Sequence, residues 1–184
     1  MRPTDALREA HRAIRLMLDI LESICGKLES GTTVQPEDLD VILAFIRSFV
    51  RPHQTLGENL VFSAVEEAGV SKEGGAMLVM MTERNMLLKH ARYLQDAVAK
   101  YRKGDREAAS KITQSARSYI PILRHQMEIE EQDIYQRLDT HQSPEEQREL
   151  ATKLEQSETH EKYEALQKLS EMKGRYLSND RKRR

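Results

Sequence analysis

The sequence predicts an all-α fold, an up-and-down antiparallel four-helix bundle with an additional C-terminal helix. Three observations carry that prediction. Charged residues make up 32% of the 184, aromatics only 5%, and Trp is absent, while Ala, Leu, Glu, Lys, Arg, Met and Gln, all good helix formers, dominate. Apolar residues recur three and four apart over long stretches, the spacing of one helix face. Gly and Pro cluster between those stretches, and long helices joined by short connections pack as antiparallel neighbours.

The first helix is predicted from about residue 4 to 29, with Leu7, His11, Ile14, Leu18, Leu21 and Cys25 on one face and Gly31-Thr32-Thr33 ending it. The second opens at Pro36-Glu37-Asp38, where Pro suits a first turn and the acids suit the positive end of the helix dipole. Its stripe is Leu39, Ile42, Ile46, Phe49, His53, Leu60 and Ala64. Pro52 cannot donate to the carbonyl one turn back, so a kink or short break is expected just before His53. Gly69-Val70-Ser71-Lys72-Glu73-Gly74-Gly75 is the next connection.

The third helix carries Met77, Met81, Arg84, Leu88, Ala91, Leu94 and Val98, and Gly104-Asp105 turns the chain. The fourth carries Ile112, Ala116, Tyr119, Leu123, Gln126 and Glu130, closing at His141-Gln142-Ser143. Ser143-Pro144-Glu145-Glu146 is a capping box that starts a fifth helix, running to about Leu177 along the outside. The expected division is a bundle over 1–140, a C-terminal helix over 141–178 packed on it, and a basic tail over 179–184.

A net charge of −1 gives no field that favours nucleic acid, and the terminal Arg181-Lys182-Arg183-Arg184 reads as a solvated tail. No stretch approaches the roughly 20 apolar residues of a membrane span. The first amphipathic helix follows Met1-Arg2-Pro3-Thr4-Asp5 directly, so cytoplasmic residence is expected. The lone Cys25 sits on a core stripe and reads as a small buried hydrophobe, as the methionines of the third helix read as core filling. No nucleophile–base pair, phosphate loop or Cys-His zinc spacing is present to support a hydrolase or kinase. A protein partner or a second copy stays open.

Four polar residues interrupt the apolar stripes at one level: His11, His53, Arg84 and Glu130, with Gln126 one turn from Glu130. Burying such groups without partners costs several kcal/mol, so four helices pointing them inward predicts that they meet. Bundle metal sites use inward His and carboxylates, often paired at i and i+3 or i+4. Here the residue four after His53 is Gly57, and Glu58 lies one step past it, about 140° from His53 on a regular helix. His125 and Glu130 have the same five-residue spacing.

These residues resemble the bacterial hemerythrin-like, or HHE cation-binding, family over nearly the whole chain. Glu9-Ala10-His11-Arg12-Ala13-Ile14 is similar to its first-helix motif, and His53-Gln54-Thr55-Leu56-Gly57-Glu58-Asn59-Leu60-Val61-Phe62 to its second. Glu73-Gly74-Gly75 with Met80-Met81-Thr82-Glu83-Arg84 resembles the third, and Tyr119 to Gln126 with Glu130-Glu131 and Ile134-Tyr135 the fourth. The resemblance implies two irons bridged by carboxylates and otherwise held by His. It also implies roles in oxygen carriage or sensing, nitric oxide or peroxide chemistry, or iron handling. His11, His53 and Glu130 fall on ligand positions, whereas Gly57, Arg84 and Gln126 stand where a bridging Glu and two His are expected.

Two readings follow. In one, a degenerate non-haem iron site survives on His11, His53, Glu58 and Glu130, with His90 or His125 as displaced ligands, and binds a small molecule such as oxygen or nitric oxide. In the other the chain is a metal-free signalling or interaction module. Arg84, which stays protonated and offers no lone pair, then replaces the metal by pairing with Glu130, Glu58 or both.

Overall fold

Helix formation follows the apolar periodicity and the cap chemistry closely. In the computed structural model, which describes residues 2–67 and 76–177, α1 (Pro3–Glu29) opens with Arg2 N–H donating to Asp5 Oδ2 at 2.9 Å. It closes at Gly31, whose φ of 77° is a left-handed conformation that favours glycine. The expected connection at 69–75 and the basic tail at 179–184 lie outside the described residues, as do the side chains of Phe62, Ala64, Met77 and His141.

The second helix is three pieces in one rod. α2 (Pro36–Phe45) passes through a wide π-turn at Ile46–Val50 into α3 (Arg51–Glu67). The π-turn is closed by Arg51 N–H on the Ile46 carbonyl and sits directly before Pro52. Pro52 has no N–H for the carbonyl one turn back, and the rod absorbs that defect by widening rather than breaking. The kink expected before His53 therefore takes the form of one inserted residue.

α4 (Ala76–Arg102) and α5 (Ala108–Ile129) form the most extensive helix pair. Because α4 leans on α5, its buried stripe is Leu87, Leu94, Ala97 and Val98, while Met81 and Met86, expected inside, are exposed. α5 continues through a second π-turn at Glu130–Ile134 into α6 (Tyr135–His141).

The expected fifth helix is two. α7 (Pro144–Gln156) starts with the predicted capping box, Ser143 Oγ accepting from Glu146 N–H. α8 (His160–Leu177) follows a break at Ser157-Glu158-Thr159. There Ser157 Oγ donates to the Leu154 carbonyl at 2.6 Å and Thr159 Oγ1 accepts from Lys162 N–H at 3.2 Å. Such side-chain bonds compete with the helical ladder and end it.

α8 is part of the main core: Ala165, Leu169 and Met172 join Ile14, Leu18, Leu21, Phe45 and Tyr119. Its end is fastened at Asp38, a buried carboxylate that accepts from Arg175 at 2.7 Å and from the Tyr176 hydroxyl. A second, smaller core of Leu7, Ile134, Tyr135, Leu138 and Leu150 lies at the other end, where α7 packs on α1. His11 falls between Leu7 and Ile14 on α1, and Glu130 between Met127 and Ile134 on the α5–α6 rod. The two cores thus enclose a polar layer. None of the described helices is long and apolar enough to cross a membrane.

Candidate metal centre

Three helical rods deliver one side chain each to the polar layer. His11 comes from α1, His53 from α3 just after its π-turn, and Glu130 from the start of the second π-turn. One ligand atom from each lies within 4.8 Å of the other two. The layer is largely closed to bulk solvent: His11 is fully buried and Glu130 is 5% exposed.

The distances show what the layer lacks. His11 Nδ1–H donates to Glu131 Oε1 at 2.7 Å, which orients the ring and turns Nε2 toward Glu130 Oε2, 3.0 Å away. His53 Nε2 is 3.7 Å from the same oxygen, buried, and without a hydrogen-bond partner. Imidazole nitrogens and a carboxylate oxygen converge, with the Tyr135 hydroxyl as the one phenolic donor, at 3.1 Å from Glu130 Oε2. Lone pairs facing one another need a cation between them, a proton or a metal.

Burial alone would push the Glu130 carboxyl up. With a proton as the cation between them, carried on His11 Nε2, that hydrogen bond and the His53 ring at 3.7 Å outweigh burial and hold the carboxyl down at about 2. Glu131 also lies below its ordinary range: its partial burial is outweighed by hydrogen bonds from Arg15 and His11. Burial, then the charge of Glu130, raises the Tyr135 phenol well above its ordinary range, so without a cation it remains an O–H donor.

Gly57 explains how Glu130 reaches this position. A Cβ there would lie 3.0 Å from Glu130 Oε1, so the carboxylate rests directly against the α3 backbone. Where the family resemblance leads one to expect a second bridging carboxylate, this chain leaves room for the first.

Glu58 does not join the cluster. It pairs with Arg84, which also reaches Thr55 Oγ1 at 3.4 Å, and both charged side chains are more than a quarter exposed. Arg84 thus meets one of its two expected carboxylates, Glu58, while Glu130 belongs to the imidazoles. Gln126 is buried but satisfied locally, accepting from Gln54 at 3.1 Å and donating to the Met80 carbonyl at 3.3 Å. His125 points outward to Glu83 at 2.7 Å with half its side chain exposed, and His90 stacks its edge on Tyr93. Neither is brought to the centre.

Sequence reasoning passed over Glu131 and Tyr135 as site residues. On a regular helix, residues five apart point about 140° apart. The π-turn bond from Tyr135 N–H to the Glu130 carbonyl brings the fifth residue over the first. The readable signals were a Glu-Glu pair and a tyrosine on an otherwise apolar stripe.

The chemistry fits a transition-metal cation. Two imidazoles and one carboxylate form the donor set of mononuclear non-haem iron sites, which leave further coordination positions open. Compared with family models, residues 2–138 match the hemerythrin HHE cation binding domain. No curated protein and no solved structure matches the chain.

Proposed function

Because the chain belongs to the hemerythrin HHE cation-binding family, we propose that it holds a single metal ion, iron by family precedent, on His11, His53 and Glu130. The observation that supports this best is His53 Nε2. It is a buried ring nitrogen with no hydrogen-bond partner, aimed at the oxygen that His11 also faces. An unpaired buried polar atom costs about 1–3 kcal/mol, a penalty that a metal bond would remove.

In this reading the chain's own residues divide the work. Glu131 fixes the proton of His11 on Nδ1 and is itself held by Arg15 at 2.9 Å, the carboxylate–histidine support common at metal sites. Glu130 supplies the anionic donor. The surrounding cores keep water out. A bound iron would supply a redox-active Lewis acid able to take a small ligand such as oxygen or nitric oxide.

Arg84 enters this proposal as a replacement for one cation rather than for all of them. Paired with Glu58, it takes up the carboxylate closest in sequence to the missing bridge. The two expectations from the sequence then describe different halves of one site.

Elemental analysis of anaerobically loaded protein tests the reading. About one tightly held iron per chain, lost in His53→Ala, supports it. A stably folded protein that takes up no metal overturns it and favours the metal-free interaction module.

A further inference from the structure

The strongest unassigned feature of the layer is the Tyr135 hydroxyl. Tyr135 is fully buried, yet its oxygen reaches past the small second core into the polar layer. It lies 3.0 Å from His11 Nε2 and 3.1 Å from Glu130 Oε2, and those two atoms are 3.0 Å from each other. The three atoms make a nearly equilateral triangle.

That triangle has a meaning in coordination chemistry. Donors about 2.1 Å from one metal and at right angles to each other stand about 3.0 Å apart. Three such donors form one face of an octahedron. The chain also departs from regular helix geometry at the place this requires. A regular helix would turn residue 135 about 140° away from residue 130, and the π-turn spanning Glu130–Ile134 brings them together. π-turns of this kind cluster at functional sites.

We propose that Tyr135 is a fourth ligand of the metal, its phenolate oxygen binding a ferric ion beside His11, His53 and Glu130. The inference rests on the single-metal reading above. On coordination the O–H bond breaks, its electron pair goes to the metal, and the proton is released to solvent. No change in oxidation state is involved if the ion is supplied as ferric. A nearby cation reverses the preference that keeps the phenol protonated in its absence. The consequence is a site that holds Fe(III) with two anionic oxygens and two neutral nitrogens. It prefers ferric over ferrous iron and leaves fewer positions for an exogenous ligand than His11, His53 and Glu130 would alone.

The test uses the full chain and its Tyr135→Phe variant, each loaded with ferric nitrilotriacetate and freed of excess reagent. Bound iron is measured by elemental analysis and the visible spectrum is recorded on the same samples. The expected result is a coloured wild type with about one iron per chain and a phenolate-to-iron charge-transfer band. The variant should retain iron and lose the band. Resonance Raman on the wild type, excited in that band, should show tyrosinate ring modes, a readout independent of how well the variant folds. Iron-loaded wild type without the band leaves the metal reading intact and overturns this inference, making Tyr135 a hydrogen-bond donor to Glu130 only. A band that survives in Tyr135→Phe overturns it as well. No iron on the wild type overturns the single-metal reading, and this inference with it.

Discussion

The two halves of the polar layer contrast sharply. On one side His11, His53 and Glu130 converge with a surplus of lone pairs and an unpartnered buried nitrogen. On the other, Arg84 pairs with Glu58 and Gln126 bonds to Gln54 and the Met80 carbonyl, so the expected ligand positions are closed by the chain's own hydrogen bonds. The first half is buried and the second partly exposed at Arg84 and Glu58. The lesson is that burial and satisfaction, not the identity of a residue at an expected position, distinguish a site that needs a cation from one that already contains it.

The largest expected effect breaks the first half. Glu130→Gln removes the only buried carboxylate of the triad. It should abolish metal retention and lower the stability of the metal-free protein by about 3 kcal/mol, measured by urea unfolding. The same change should flatten the acid limb of the stability profile. The folded carboxyl sits at about 2 against an ordinary 4.5, so its contribution is fully present above about pH 4.5 and lost as pH falls toward 2. A wild type and a variant with superimposable acid limbs would contradict this.

A smaller effect should come from Gly57→Ala. The added methyl meets Glu130 Oε1 at 3.0 Å and must push the carboxylate by a few tenths of an ångström. Metal affinity should fall several-fold in competition titrations. Stability should change by less than about 1 kcal/mol, since alanine's better helix propensity works against the contact. Unchanged affinity would show that the close approach of Glu130 to α3 is incidental.

Smaller again is Arg84→Leu. With both partners more than a quarter exposed, the expected cost is about 0.5–1 kcal/mol, and metal retention should be unaffected. A melting temperature that collapses, or metal lost with Arg84, would mean the two halves are one unit. Least of all, Cys25 should resist thiol reagents at pH 8 in the native state, because burial raises it to about 11.

The helices and their faces were legible because a period of three and four survives wherever packing is one-sided, as along Leu7 to Cys25. The convergence of His11, His53 and Glu130 was legible for the same reason: each stands on an apolar stripe at one level. The pairing of Glu58 with Arg84 was one of the expected alternatives, but its position at the rim, apart from His11, His53 and Glu130, shows only in the fold. The role of Tyr135 was not legible. Periodicity arguments assume a constant turn, and a π-turn changes the count without altering the composition. The split at Ser157 left a weak trace in Ser157-Glu158-Thr159, two residue types that bond to their own backbone.

The second π-turn also acts as a phase compensator. It holds one residue more than the helix around it needs, so removing a single residue between 131 and 134 should let the rod close as regular α-helix. Tyr135 would then be the fourth residue after Glu130, about 40° from it on a regular helix, and would keep its place over the polar layer. Leu138 would likewise keep its alignment with Leu7 and Leu150 in the small core. The surplus residue is thus absorbed within one turn, and the angular register between the polar layer and the hydrophobic plug that closes it survives either count.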